Sequence, residues 1–302
     1  MFSNDRYSIA YDDAGEGEPA LLLVPGWCES RNVFGKLAPL LQANRRVMDV
    51  DLIGHGESAA GRNDFGTLEL ADGIMALIES SGASRIIPVL HSHAGFLGLE
   101  LRRRLGDRIV KLVLLDWIVL DPPQPFLDAL AALQDPIRWK SARDQLFAMW
   151  LDREDIRDVI AHVQKDMGSF GADMWARAGR EIAAAYAREG TPLDALKRLE
   201  PPLDVLHLYS QPDDARYYRA QESFAAANPW FRVQRLSVPG HFPMLAAPAD
   251  VARAIESFIT PQRPHQSVVS RVDLPALQSQ RLYEHTMFRK TTFAQNVKDV
   301  SV

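Results

Sequence analysis

Apolar residues along this chain recur with two periods. Short runs of strand length, Ala20–Val24, Arg46–Val50, Arg85–Leu90, Ile109–Leu115, Leu203–Tyr209 and Phe231–Ser237, are apolar at most positions, as strands buried on both faces are. Tyr7–Tyr11 reads as an edge strand. Between the runs lie longer patterns of helical period, for example Leu68–Ser80 and Gly95–Leu105. Their alternation predicts an α/β protein with a mostly parallel central sheet flanked by helices. No internal repeat is visible.

The rhythm breaks once. From Asp116 to about Glu200 there is no strand candidate, only helical periodicity opened by the turn-prone DPPQP. That is too long for one crossover connection and predicts an inserted helical cap over 121–200, dividing the core into 1–120 and 201–260. The cap carries Phe126, Trp139, Phe147, Trp150, Phe170, Trp175 and Tyr186. Most of these rings are expected to glue cap helices together, while some face a pocket as an apolar, stacking lid. Residues 261–302 lose the pattern and read as an appendage, either a disordered tail or a docking arm.

Composition narrows the partners. A net charge of −5 over 302 residues argues against nucleic acid, whose phosphates require a basic face. Arg102, Arg103 and Arg104 read as the solvated side of a helix. The single cysteine, Cys28, excludes an internal disulfide and suits a reducing cytoplasm. The N-terminus has no apolar leader core and no 18-residue apolar stretch occurs, so neither secretion nor a membrane is expected.

Four motifs occur in the order that an α/β-hydrolase sheet requires. VPGWCE, residues 24–29, comes directly after a strand; its Trp27 N–H and the N–H of His93 are the expected oxyanion donors. DLIGHGES, residues 51–58, is a glycine-built turn in which Ser58 is expected to cap the next segment of chain. HSHAG, residues 91–95, places Ser92 between strand and helix at a nucleophile elbow. Ala94 and Gly95 supply the small neighbours that such a turn needs, whereas Leu90 stands where glycine is usual. PGHFPML, residues 239–245, presents His241 as the base after the last strand. Its carboxylate partner is Asp116, at the end of KLVLLDW, or Asp213 or Asp214 in YSQPDD. Asp116 is favoured, because a charge at the end of so apolar a strand is costly unless a partner compensates it.

With these residues laid out, the chain resembles the cofactor-independent 2,4-dioxygenases that cleave 3-hydroxy-4-oxoquinaldines and related 4-quinolones. The resemblance runs from about residue 20 to 260 and rests on VPGWC, HSHAG, LLDW, RWKSARDQLFAMWLD, DMWARAGR, YSQP, NPWF and GHFP. It implies that His241, paired with Asp116, deprotonates a substrate 3-hydroxyl. The resulting anion meets O2 directly, and Ser92 anchors the substrate without attacking it. Carbon monoxide and an N-acylanthranilate are the implied products, with no cofactor and no metal. The implied substrate-binding residues are His91 and His93, which flank the anchor, Trp27, Cys28 and Glu29 at the oxyanion loop, and Trp150 and Trp175, which match cap tryptophans lining the substrate cavity. Glu29 departs from the pattern, since relatives acting on the methyl-substituted substrate carry histidine there, which leaves the substituent at C2 open. A longer 2-alkyl chain, as in alkylquinolone signals, fits the Leu- and Ala-rich cap. The implied partners are a small heteroaromatic substrate and O2, for a monomer or homodimer.

Two other readings remain. A serine esterase or C–C-bond hydrolase would use Ser92, His241 and an aspartate, and would form an acyl-enzyme. A non-catalytic ligand-binding protein on the same scaffold would return its ligand unchanged. Haloalkane dehalogenases and epoxide hydrolases need aspartate at the elbow.

Overall fold

The computed structural model describes residues 1–4, 6–60 and 64–260, so the expected appendage at 261–302 lies outside the described residues. Seven strands form one sheet: β1 (Tyr11–Ala14), β2 (Ala20–Val24), β3 (Val47–Val50), β4 (Ile86–His91), β5 (Lys111–Leu115), β6 (Asp204–Tyr209) and β7 (Phe231–Arg235). Their order is β1-β3-β2-β4-β5-β6-β7, with β1 antiparallel to β3 and every other pair parallel. β2, β3 and β4 are buried at every position, because helices cover both faces. The run Ile109–Leu115 is shorter as a strand than its pattern, since Ile109 makes only an isolated bridge to Ile86 before β5 begins.

The expected edge strand at Tyr7–Tyr11 divides in two. Ser8–Ile9 folds back on Phe2–Ser3, and only from Tyr11 does the chain join the sheet. Between them the Ala10 N–H donates to Ser58 Oγ at 2.9 Å. Ser58 in turn donates to the Asp51 carbonyl, so it ties the sheet edge to the DLIGHGES turn instead of capping a helix.

Numbering helices of ten residues or more, α1 (Thr67–Ser81) and α2 (Ala94–Leu105) pack together in the first half of the core. From β5 to β6 the chain is helical, with α3 (Gln124–Leu133), α4 (Trp139–Trp150) and α5 (Ala172–Glu189) packed on one another. α6 (Ala215–Ala227) and α7 (Pro248–Ile259) complete the fold. The arginine run on α2 is not simply solvated. Arg102 is buried and donates to the carbonyls of Gly106, Ile109 and Pro201, while Arg103 holds Glu189. Among the described residues no helix is long and apolar enough to cross a membrane.

Candidate active site

Three non-glycine residues with left-handed backbone stand in the turns after neighbouring strands: Cys28 (φ 60°) after β2, Ser92 (φ 54°) after β4 and Asp116 (φ 50°) after β5. Such conformations cost about 1–3 kcal/mol each and persist only where the surroundings enforce them. Here the parallel ladder does so. The Ser92 N–H donates to the Leu115 carbonyl and the Asp116 N–H to the Leu208 carbonyl, both at 2.8 Å. The elbow is also crowded. A Cβ on Gly95 would lie 2.1 Å from the Trp117 ring, and one on Gly98 would lie 2.3 Å from Leu90 Cδ1. Leu90 therefore fits beside the elbow because Gly98, further along α2, vacates the space.

His241 Nδ1 donates to Asp116 Oδ2 at 2.9 Å, and its Nε2 lies 3.0 Å from Ser92 Oγ. The second Asp116 oxygen accepts the backbone N–H groups of Ser210 (2.7 Å) and Gln211 (3.2 Å). All three side chains are buried. The choice between carboxylates is thus settled by position. Asp214 caps α6 by accepting from the Arg216 and Tyr217 N–H groups, and the exposed Asp213 pairs with Arg235. The indole of Trp150 stacks on the His241 ring, with centroids 5.3 Å apart and planes 13° from parallel.

Ser92 Oγ also lies 3.2 Å from His93 Nδ1, and His93 Nε2 lies 3.3 Å from the Tyr186 hydroxyl, which donates to the Ile118 carbonyl at 2.9 Å. Phe126 stacks on the other side of His93 at 5.3 Å. Burial, with the neighbouring histidines His241 and His91, pulls the His93 pKa down to about 3, so this ring is neutral at ordinary pH.

Behind the elbow lies a second polar pair. Glu29 Oε2 accepts from His91 Nδ1 at 2.8 Å and from the Gly26 N–H at 3.1 Å, while His91 Nε2 donates to the His241 carbonyl at 2.9 Å. Burial alone would raise the Glu29 pKa. The charge and hydrogen bond of His91 outweigh it and bring Glu29 down to about 2. For His91 burial acts downward, and Glu29 more than offsets it, so its pKa is raised. The pair is a buried carboxylate–imidazolium. Glu29→Gln places an amide where one oxygen serves two donors, and is expected to destabilise the fold by about 1–3 kcal/mol in chemical denaturation. An unchanged unfolding midpoint would show that the pair carries no such load.

These groups border a cavity of the concave, largely apolar kind in which small molecules bind. Trp27, Glu29, Ser92, His93, Asp116, Trp150, Trp175 and His241 line it, so most of the residues singled out by the sequence converge. Its apolar wall comes from the helical segment, through Phe126, Leu130, Leu133, Leu146, Met149 and Ile182. Two expectations need correction. His91 and Cys28 are absent from the wall: both are fully buried, His91 behind the base and Cys28 with a thiol pushed well up by burial. Of the cap rings, Trp139, Phe147, Phe170 and Tyr186 also do not line the cavity. Tyr186 entered the sequence analysis only as a cap ring, and Ser210 and Gln211 only within YSQP; their hydrogen bonds to His93 and Asp116 were not visible, because they form over long chain separations. Neither the Trp27 nor the His93 backbone N–H donates in the hydrogen bonds between described residues. Among the described residues no group of three or more His, Cys, Asp or Glu side chains could hold a metal ion.

Strand order, elbow and Ser-His-Asp geometry define an α/β-hydrolase-fold protein, and the model of the alpha/beta hydrolase family matches residues 21–254. Within that class the chain belongs to the family of 3-hydroxy-4-quinolone 2,4-dioxygenases. It is 37% identical to the 2-heptyl-3-hydroxy-4(1H)-quinolone dioxygenase of Mycobacteroides abscessus, over 81% of this chain and 91% of the relative. It is 34% identical to the 1H-3-hydroxy-4-oxoquinoline 2,4-dioxygenase of Pseudomonas putida, over 83% and 96%. Among solved structures, the ring-cleaving enzyme AqdC in complex with its product, from work on the Pseudomonas quinolone signal, superposes with a TM-score of 0.81 at 35% identity, covering 85% of this chain and 98% of that one.

Proposed function

We propose that this protein is a ring-cleaving dioxygenase that converts a 2-alkyl-3-hydroxy-4(1H)-quinolone and O2 into an N-acylanthranilate and carbon monoxide. The observation that carries the reading is the His241–Asp116 pair opening on an apolar, tryptophan-lined cavity, in a chain more than a third identical to a 2-heptyl-3-hydroxy-4(1H)-quinolone dioxygenase. His241 Nε2 takes the substrate 3-hydroxyl proton, and Asp116 stabilises the imidazolium that results. The electron-rich anion adds O2 at C2, and the peroxide formed there attacks C4. The endoperoxide then collapses, both oxygen atoms remain in the N-acylanthranilate, and C3 leaves as carbon monoxide. The backbone N–H groups of Trp27 and His93 stabilise developing oxyanion charge, and the apolar wall excludes water that would divert the anion. Leu130, Leu133, Leu146, Met149 and Ile182 provide a surface suited to an alkyl chain rather than a methyl group. Removing an alkylquinolone signal in this way would make the enzyme a quorum-quenching one, acting in the cytoplasm.

Incubating the purified protein with 2-alkyl-3-hydroxy-4-quinolones and a chelator, while following O2 uptake and trapping carbon monoxide on reduced haemoglobin, tests the proposal. Consumption of substrate without either gas change would overturn it.

A serine-hydrolase reading is favoured by one observation, the 3.0 Å approach of Ser92 Oγ to His241 Nε2 at a strained elbow. Ser92→Ala separates the two. Loss of an anchoring hydrogen bond is expected to lower kcat/KM about 10- to 100-fold. Loss of a triad nucleophile would cost on the order of 10⁴-fold or more.

A further inference from the structure

We propose that Tyr186 and His93 hold the Ser92 hydroxyl proton away from His241, so that the base faces substrate with its lone pair free. The inference deepens the dioxygenase reading and rests on it. It comes from counting donors along one chain of contacts. The Tyr186 hydroxyl has a single proton, and at 2.9 Å from the Ile118 carbonyl that proton is committed there. Its oxygen can then only accept at the 3.3 Å contact with His93, so His93 Nε2 must carry hydrogen. A neutral imidazole has one N–H, which leaves His93 Nδ1 as a lone pair 3.2 Å from Ser92 Oγ. The serine hydroxyl donates to that lone pair.

His93 has little freedom to do otherwise. Its ring is fixed between the stacked Phe126 and the edge of Tyr186. Protonation of both nitrogens is also opposed by burial and by the neighbouring histidines, which hold its pKa at about 3.

The consequence lies 3.0 Å away, at His241 Nε2. In a serine hydrolase the serine hydroxyl donates its hydrogen bond to this nitrogen, and the base is occupied until the serine attacks. Here the lone pair is open to the substrate hydroxyl. Once His241 has taken the substrate proton, its new N–H can donate to Ser92 Oγ, whose own proton is engaged elsewhere. The removed proton is thereby held apart from the anion that must meet O2. Tyr186 and His93 act as positioning residues through Ser92, which explains how triad geometry serves proton abstraction without arming a nucleophile.

The test combines a spectrum with a labelling rate. In two-bond proton–nitrogen correlation spectra of the 15N-histidine-labelled protein, His93, identified by its loss in His93→Gln, is expected as the Nε2–H tautomer. An Nδ1–H tautomer overturns the proposal. In Tyr186→Phe the hydroxyl is gone, and His93 is free to adopt Nδ1–H and to return the serine proton to His241. Labelling of Ser92 by a fluorophosphonate is then expected to speed up roughly tenfold, with kcat for the quinolone falling several-fold and KM nearly constant. Equal labelling of wild type and Tyr186→Phe also overturns it. Should Tyr186→Phe fail to fold, the wild-type spectrum still decides. A wild type that consumes no quinolone defeats the functional proposal separately, because tautomer and labelling need no turnover.

Discussion

His241→Ala is expected to lower kcat by about a thousandfold or more, the upper range for loss of a positioned general base. The ring makes two contacts that no smaller side chain replaces, to Asp116 at 2.9 Å and toward Ser92 at 3.0 Å, and Trp150 covers its face. The pH dependence of this variant carries the sharper information. Without a base, the rate depends on how much substrate arrives already ionised. That fraction rises with pH up to the pKa of the 3-hydroxyl, so activity should climb as pH rises. Oxygen uptake across a pH series measures it. A variant that stays inactive when its substrate is ionised in solution would show that His241 does more than remove a proton, and full activity at neutral pH would remove it from the mechanism.

The second large effect is expected for Asp116→Asn, and its cause is tautomeric. One Asp116 oxygen receives His241 Nδ1–H and the other receives the N–H groups of Ser210 and Gln211. Asparagine has a single oxygen. If that oxygen keeps the two backbone donors, its amide points at His241 and can only donate to Nδ1. The imidazole must then carry its proton on Nε2, the atom that has to accept from substrate. The opposite flip sets an amide against two N–H groups in a buried site, which is costlier. The expected loss in kcat is about 10⁴-fold, the scale seen when an asparagine imposes the wrong tautomer on a triad histidine. KM should change far less, because Asp116 works through the base. Steady-state kinetics with a thermal unfolding control checks this. A loss under about tenfold would mean that the carboxylate does not set the tautomer.

Several features were readable from the chain because their causes are local. β2 is apolar at all five positions and α1 keeps its apolar residues on one stripe, so element type came directly from period, with boundaries off by a residue or two. Ser92 and His241 were identified by the glycine and small-residue context that tight turns impose. Asp116 stood out because a carboxylate closing an apolar strand needs a partner. The misplaced residues failed for the opposite reason. Nothing near Arg102 signals that carbonyls at Ile109 and Pro201 will enclose it, and nothing near Ser58 signals the Ala10 N–H. Cys28 shares a motif with the cavity-lining Trp27 yet is buried in the hydrophobic core, and nothing in VPGWCE itself separates the two environments.

Local spacing thus carried the architecture and singled out His241, Asp116 and Ser92, which the fold brings into contact, since periodicity and turn chemistry act over a few residues. Which proton sits on which nitrogen was decided only when distant segments met. Tyr186 reaches His93 across 93 positions, His91 reaches the His241 carbonyl across 150, and Asp116 takes amides 94 and 95 residues on. Hydrogen-bond direction depends on every donor and acceptor at a junction, and no stretch of chain contains all of them until the sheet and its helical segment have closed around the site.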